Sequence, residues 1–93
     1  MARDVVILKL VTGEEIVCRM DVTFEKGDDI YLEMPLQIQT VTDGGKVGFG
    51  MIPWIMSAED KGFTISENAI ITIGTPKHAL ESEYLSAVTG LTL

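Results

Sequence analysis

Apolar and polar residues alternate with a period of two along much of the chain. Residues 16–24 carry apolar side chains at every even position, and Arg19, Asp21 and Thr23 are polar. Residues 30–39 repeat the same phase. Because this period is typical of a strand with one buried face, the pattern predicts two consecutive strands.

Turn and bend signals divide this part of the chain. Residues 25–28, which read Glu-Lys-Gly-Asp, have the composition of a turn between the two strands. Pro35 stands in the middle of the second strand, and proline cannot donate a ladder hydrogen bond, so we expect a bend or bulge there. Asp43 and Gly44 favour a hairpin turn, after which a return strand should cover residues 46–56.

The pattern changes from strand to helix in the last quarter of the chain. Two short strands are predicted at residues 63–66 and 69–73. Thr75 and Pro76 suit an N-cap and a first helical position, so a helix should cover about residues 76–89. Its apolar face recurs at helical spacing, at Leu80, Tyr84, Leu85 and Val88. The order of elements predicts one mainly antiparallel β domain over residues 1–93, with a C-terminal helix.

The apolar content is high for a chain of this length. Of 93 residues, 46% are apolar, and residues 5–11 and 46–56 are apolar on both faces. Exposed apolar surface costs about 25 cal/mol per Å², so one interpretation is that the surplus is buried between identical copies. The residues expected at this interface are Val5, Ile7, Ile52, Trp54, Met56 and Ile70. The alternative is that they are ordinary core residues of a monomer.

The charge of the chain argues against generic nucleic-acid binding. Fourteen acidic and seven basic residues give a net charge of −7, and such a field repels phosphate. The acidic residues occur in pairs rather than in a run, which favours solvated turns and faces.

Candidate catalytic and metal chemistry is sparse. Cys18 is in phase with the apolar face of its strand, and His78 has no Cys, Ser or second His nearby in the sequence. We therefore expect no enzyme, no cofactor and no Cys/His zinc site. Asp28 and Asp29 could offer oxygen ligands to a hard cation, but no known calcium-loop spacing surrounds them, and no metal is predicted. The absence of an export signal or membrane span in the pattern favours the cytoplasm.

Two stretches resemble the signatures of a known family. "VILKLVTGEEIVCRM" (6–20) is similar to the first two strands of Sm and LSm domains, and "FTISENAIITI" (63–73) resembles their second signature. The chain looks similar to short acidic Sm-like proteins of marine phages. The resemblance implies a strongly bent, five-stranded small barrel, at about residues 4–74, whose copies assemble into rings in the cytoplasm of a bacterial or phage-infected cell.

The departures from the family pattern concern its RNA site. Members that bind uridine-rich RNA carry Asp-x-x-x-Asn between the second and third strands, whereas this chain has "FEKGDDIY". They also carry Arg-Gly where Ser66 and Glu67 stand. The resemblance places Lys26 and Asn68 on pore-lining turns, and Tyr31 could stack on a base.

Two functions follow as hypotheses. One is a homo-oligomeric ring that binds RNA or single-stranded DNA with altered specificity, in nucleic-acid processing. The other is an oligomeric protein adaptor, in phage assembly or host takeover, that binds no nucleic acid. The resemblance favours the first, and the charge of −7 on each copy favours the second.

Overall fold

The computed structural model describes residues 4–91 and contains six strands and one α-helix. In chain order they are β1 (Asp4–Leu10), β2 (Glu15–Met20), β3 (Asp29–Asp43), β4 (Lys46–Pro53), β5 (Gly62–Ser66), β6 (Ile70–Gly74) and α1 (His78–Leu91). All strand pairs are antiparallel, in the order β4-β3-β2-β1-β6, and β5 also pairs with β3. The predicted mainly antiparallel β fold with a C-terminal helix is confirmed. The predicted domain limits, 1 and 93, lie outside the described residues.

The long strand β3 is kinked where the proline predicts a bend. Met34, immediately before Pro35, has a positive φ of 52°. Before the kink β3 pairs with β5, and after it β3 pairs with β4. The pairing with β2 shifts there as well, because Val17 lies opposite Leu36 whereas Arg19 lies opposite Glu33. The kink lets one strand contribute to two parts of a curved sheet.

The two halves of β3, before and after the kink, contribute to different hydrophobic clusters. Ile30 and Leu32 belong to the barrel core, whereas Leu36 belongs to a second cluster beneath the helix. The return strand ends at Pro53, not at residue 56 as the pattern predicts, because the chain leaves β3 at this point before it returns as β5.

The barrel core is built from the alternating positions of β1, β2 and β3. Its eight buried residues are Val6, Leu8, Leu10, Ile16, Cys18, Met20, Ile30 and Leu32. The alternation therefore identifies the buried face of β2 correctly, although this strand ends at Met20, short of the predicted residue 24. Beyond it Val22 is exposed, while Phe24 still packs against the core.

The helix α1 covers the opposite face of the sheet. Tyr84 and Val88 are buried there with Val17 from β2. Val5 and Ile7 pack against this cluster, so the chain's own helix accounts for the apolar character of both faces of β1. A neighbouring copy is therefore not required to explain the apolar character of Val5 and Ile7, and their place at an interface stays a prediction.

Tyr84 ties the helix to the kink in β3. Its hydroxyl donates to the backbone carbonyls of Met34 at 2.9 Å and Glu33 at 3.1 Å. Burial raises the pKa of this phenol. The helix begins at His78, and Leu85, which the helical pattern assigns to the apolar face, is 40% exposed.

We expect the domain to lose stability in strong alkali through Cys18. Burial raises the pKa of this thiol to about 12 from its ordinary 9.0. The unfolded chain releases the proton first, so the free energy of unfolding should fall between these two pH values by up to about 1.4 kcal/mol per unit. Urea unfolding across this range measures the slope. Cys18→Ala should make the slope shallower, leaving the part that buried Tyr84 contributes, and an unchanged slope in that variant would contradict the assignment.

Candidate nucleic-acid interface

Two turns lie side by side at one end of the barrel. The first joins β2 to β3, where the backbone N–H of Glu25 donates to the Asp28 carboxylate at 2.7 Å and that of Asp28 donates to the Glu25 carbonyl at 3.1 Å. Gly27 supplies the left-handed backbone that the turn requires, with φ of 91°. The second is a single 3-10 turn, Glu67–Ala69, between β5 and β6.

Glu67 joins the two turns. The backbone N–H of Gly27 donates to Glu67 Oε1 at 2.9 Å, and the backbone N–H of Glu67 donates to the Asp28 carbonyl at 3.0 Å. The Ser66 hydroxyl accepts a hydrogen bond from the N–H of Asn68 at 3.3 Å and caps the 3-10 turn. The Glu67 carboxylate therefore has a structural role in the turn where the resemblance places the family's Arg-Gly pair.

The structure brings two of the three predicted nucleic-acid residues close together. Lys26 and Asn68 are exposed, and each is next in the chain to one partner of the Gly27–Glu67 hydrogen bond. Their proximity agrees with the expectation, although their binding role stays a prediction.

Tyr31 lies apart from this pair. It is opposite Thr64 in the β3–β5 pairing, and its ring lies over Gly62, where a Cβ would collide with it. Since Gly62 is at the opposite end of β5 from the 3-10 turn, the ring extends away from Lys26 and Asn68. It is 43% exposed and also lines a cavity that Asp28 and Asp29 border, so a base could stack on it beside the first turn.

Carboxylates dominate the surroundings of the turns. Lys26 is accompanied by Glu25, Asp28, Asp29 and Glu67. A shallow cavity of about 180 Å³ beside the turns is lined in part by Asp21, Asp28 and Asp29. This field opposes phosphate binding.

The remaining residues predicted at an interface differ in exposure. Trp54 and Ile70 pack against the barrel core of their own chain, and Ile52 is half-buried. Met56 is 73% exposed. The pattern missed Ile71, which is 60% exposed beside a register shift in the β1–β6 pairing. A bulge breaks the alternation there, so a period of two could not identify the exposed side.

The described residues offer little for other chemistry. Within residues 4–91, no group of three His, Cys, Asp or Glu side chains is arranged to hold a metal ion. The helix in this part of the chain is too short and too polar to cross a membrane.

Loss of the Glu67 carboxylate should loosen the two turns. We expect Glu67→Ala to lower the free energy of unfolding by about 1 kcal/mol, because Gly27 loses its hydrogen-bond acceptor. Glu67→Gln keeps an oxygen acceptor and should cost less than half as much. Urea unfolding of both variants measures the difference. Equal losses in the two would show that charge, not the hydrogen bond, supplies the stabilisation.

Comparison with known proteins adds the family. The Sm_like domain model matches residues 7–85, which span β1 to α1 and include both turns. No curated protein matches the chain significantly. Because the match covers most of the sequence and agrees with the barrel and its two adjacent turns, the chain belongs to the Sm-like family.

Proposed function

We propose that identical copies of this chain form a closed ring, which binds RNA or single-stranded DNA with a specificity other than uridine. Membership of the Sm-like family supports the proposal, because ring assembly and RNA binding are common in that family. The proposed setting is nucleic-acid processing in the cytoplasm of a bacterial or phage-infected cell, without catalysis.

The ring proposal rests on strand edges without partners within residues 4–91, and β5 and β6 each present one. Among the described residues, β6 pairs only with β1, and β5 pairs only with β3. These two strands follow one another across a three-residue turn, yet they do not pair with each other. Unpaired edges are templates for another chain. If β5 of one copy pairs with β6 of the next, the contact is head-to-tail, and such contacts close into a ring when the rotation permits.

The paired turns give the proposed ring its ligand site. Lys26 supplies a cation for a phosphate, and the Asn68 amide can both donate to and accept from a base edge. Ser66 and Glu67 stand where the family carries Arg-Gly, so this turn lacks the arginine and holds a carboxylate that accepts from Gly27. The proposed specificity therefore differs from that of uridine-binding members.

The charge distribution favours a second candidate, the protein adaptor. Four carboxylates accompany Lys26 at the turns, and each copy added to a ring contributes a further net charge of −7. A ring of this charge would select a basic protein surface more readily than a phosphate backbone.

An oligonucleotide titration separates the two candidates. Fluorescence anisotropy with labelled oligo(U), oligo(A) and single-stranded DNA at about 50 mM salt maximises any phosphate contribution. We expect binding that Lys26→Ala and Asn68→Ala weaken severalfold, whereas Lys46→Ala, at the hairpin between β3 and β4, leaves it unchanged. Absence of binding to all three probes would reject the nucleic-acid proposal and leave the adaptor.

A further inference from the structure

A pocket lies at the kink of β3, on a part of the molecule that the nucleic-acid proposal does not use. Its volume is about 200 Å³. The walls are mainly apolar and include Met34, Pro35, Leu36, Pro53, Trp54 and Phe63. Charged residues of the loop between β4 and β5 complete the lining, namely Glu59, Asp60 and Lys61.

Backbone hydrogen bonds hold the pocket in shape. The N–H of Met34 donates to the Lys61 carbonyl at 2.7 Å, and the N–H of Trp54 donates to the Pro35 carbonyl at 3.2 Å. The loop of residues 54–61 is therefore fixed to the kink near both of its ends. Met34 holds a left-handed conformation that non-glycine residues rarely adopt, and it persists because these bonds and the Tyr84 hydroxyl determine it.

The aromatic wall is also fixed. Trp54 Nε1 donates to Glu14 Oε2 at 2.9 Å, and the Trp54 ring meets that of Phe63 edge-on, with centroids 6.0 Å apart. The hydrogen bonds from Thr12 and Trp54 hold the pKa of the Glu14 carboxyl below its usual range. The Glu14 carboxylate keeps the indole in place through its hydrogen bond from Trp54. Because the pocket is already formed, ligand binding costs little free energy for ordering its side chains.

The composition of the pocket matches one type of side chain. Apolar and aromatic walls suit an alkyl stem, and an indole ring attracts a cation above its face. The two carboxylates outnumber the single ammonium of Lys61, and the whole chain carries −7. A long side chain with a cationic end satisfies all of these features, whereas a purely apolar one leaves the carboxylates unused.

We propose that this pocket binds a lysine or arginine side chain presented by a basic segment of a partner protein. The proposal goes beyond nucleic-acid binding and depends on neither the ring nor the turns. Charge complementarity identifies the occupant, because a chain with twice as many acidic as basic residues attracts a basic partner.

Trp54 gives a direct readout, since it is the only tryptophan of the chain. The probe is a short Gly/Ser peptide with a central Arg, titrated while the indole fluorescence is recorded. Two matched peptides carry citrulline, which is neutral and of the same shape, or norleucine, which is apolar. We expect the Arg peptide to change the emission and to bind about tenfold more tightly than either matched peptide.

Paired variants locate the effect. Glu59→Gln with Asp60→Asn should weaken binding of the Arg peptide about tenfold. Asp43→Asn with Glu83→Gln removes the same charge from exposed positions outside the pocket lining and should leave the affinity unchanged. Circular dichroism of all variants checks that the fold is kept.

Several results would overturn the proposal. If the norleucine peptide binds as tightly as the Arg peptide, the pocket is a generic apolar site. If both double variants weaken binding of the Arg peptide equally, the effect comes from the net charge of the chain and not from the pocket. A response to single-stranded DNA but not to the Arg peptide would assign the pocket to nucleic acid. If the Trp54 emission changes with protein concentration and self-association prevents peptide binding, the pocket would be assigned to a second copy of the chain. No response to the Arg peptide would reject the site, whatever the oligonucleotide titration shows.

Discussion

Replacing Tyr84 with alanine should lower the free energy of unfolding by about 3–5 kcal/mol. The side chain is fully buried between α1 and the sheet, in a cluster with Val17, Leu36 and Val88. Its removal leaves a cavity that the rigid sheet cannot fill and takes away the anchor of the helix. Urea unfolding followed by circular dichroism measures the loss.

The phenylalanine variant separates packing from hydrogen bonding at the same position. Tyr84→Phe keeps the ring but removes the donor shared by the carbonyls of Glu33 and Met34, so we expect a loss of about 1–3 kcal/mol. Leu85→Ala is the matched control, because Leu85 is adjacent in the helix and 40% exposed, and it should cost under about 1 kcal/mol. If Tyr84→Phe leaves the free energy of unfolding unchanged, water satisfies both carbonyls and the hydroxyl does not stabilise the kink.

The strands were largely predictable because their signals are local. Alternation depends on neighbouring residues, and it identified the buried face that contains Ile16, Cys18 and Met20. Pro35 marked the kink because a missing N–H is a property of one residue. Strand ends were less predictable, since β4 stops at Pro53 where pairing with β3 ends, and pairing involves distant residues.

The second layer of the fold illustrates the limit of pattern analysis. The helical spacing predicts that Leu80, Tyr84 and Val88 share a face, and all three are buried. The residues that this face covers depend on where the helix docks on the sheet. A local sequence pattern carries no information about that docking position. Apolar residues on both faces of β1 therefore suggested an interface between copies, although α1 covers Val5 and Ile7 within one chain.

The candidate site was predictable only through the family resemblance. Lys26 and Asn68 were placed on neighbouring turns by that resemblance, and the structure places these turns together. The contact that joins them links Gly27 and Glu67 across forty residues, and its donor is a backbone N–H that every residue except proline carries. The sequence has no signal for such a bond. It showed that Ser66 and Glu67 replace the family's Arg-Gly, but not the structural role of the Glu67 carboxylate.

Ile71→Arg should convert the proposed ring into single copies. Ile71 lies on β6, an edge strand without a second partner among the described residues, and its side chain is 60% exposed. Pairing of β6 with another chain would place the guanidinium against that chain. Charged side chains on edge strands block such pairing, and a desolvated charge without a partner costs several kcal/mol. Native mass spectrometry should therefore shift from a multiple of 10.2 kDa to the single-chain mass.

Val47→Arg is the matched control for this experiment. Val47 is 73% exposed on the β3–β4 hairpin, so the same charge is added to a β-strand away from the edge formed by β6. We expect this variant to keep the mass of the unmodified assembly. An Ile71→Arg protein of unchanged mass would show that β6 is not the contact strand, and an unmodified chain that is monomeric at micromolar concentration would reject the ring itself. Because Ile71 is exposed, the variant should unfold at nearly the same urea concentration as the isolated wild-type subunit, so loss of assembly can be distinguished from loss of fold.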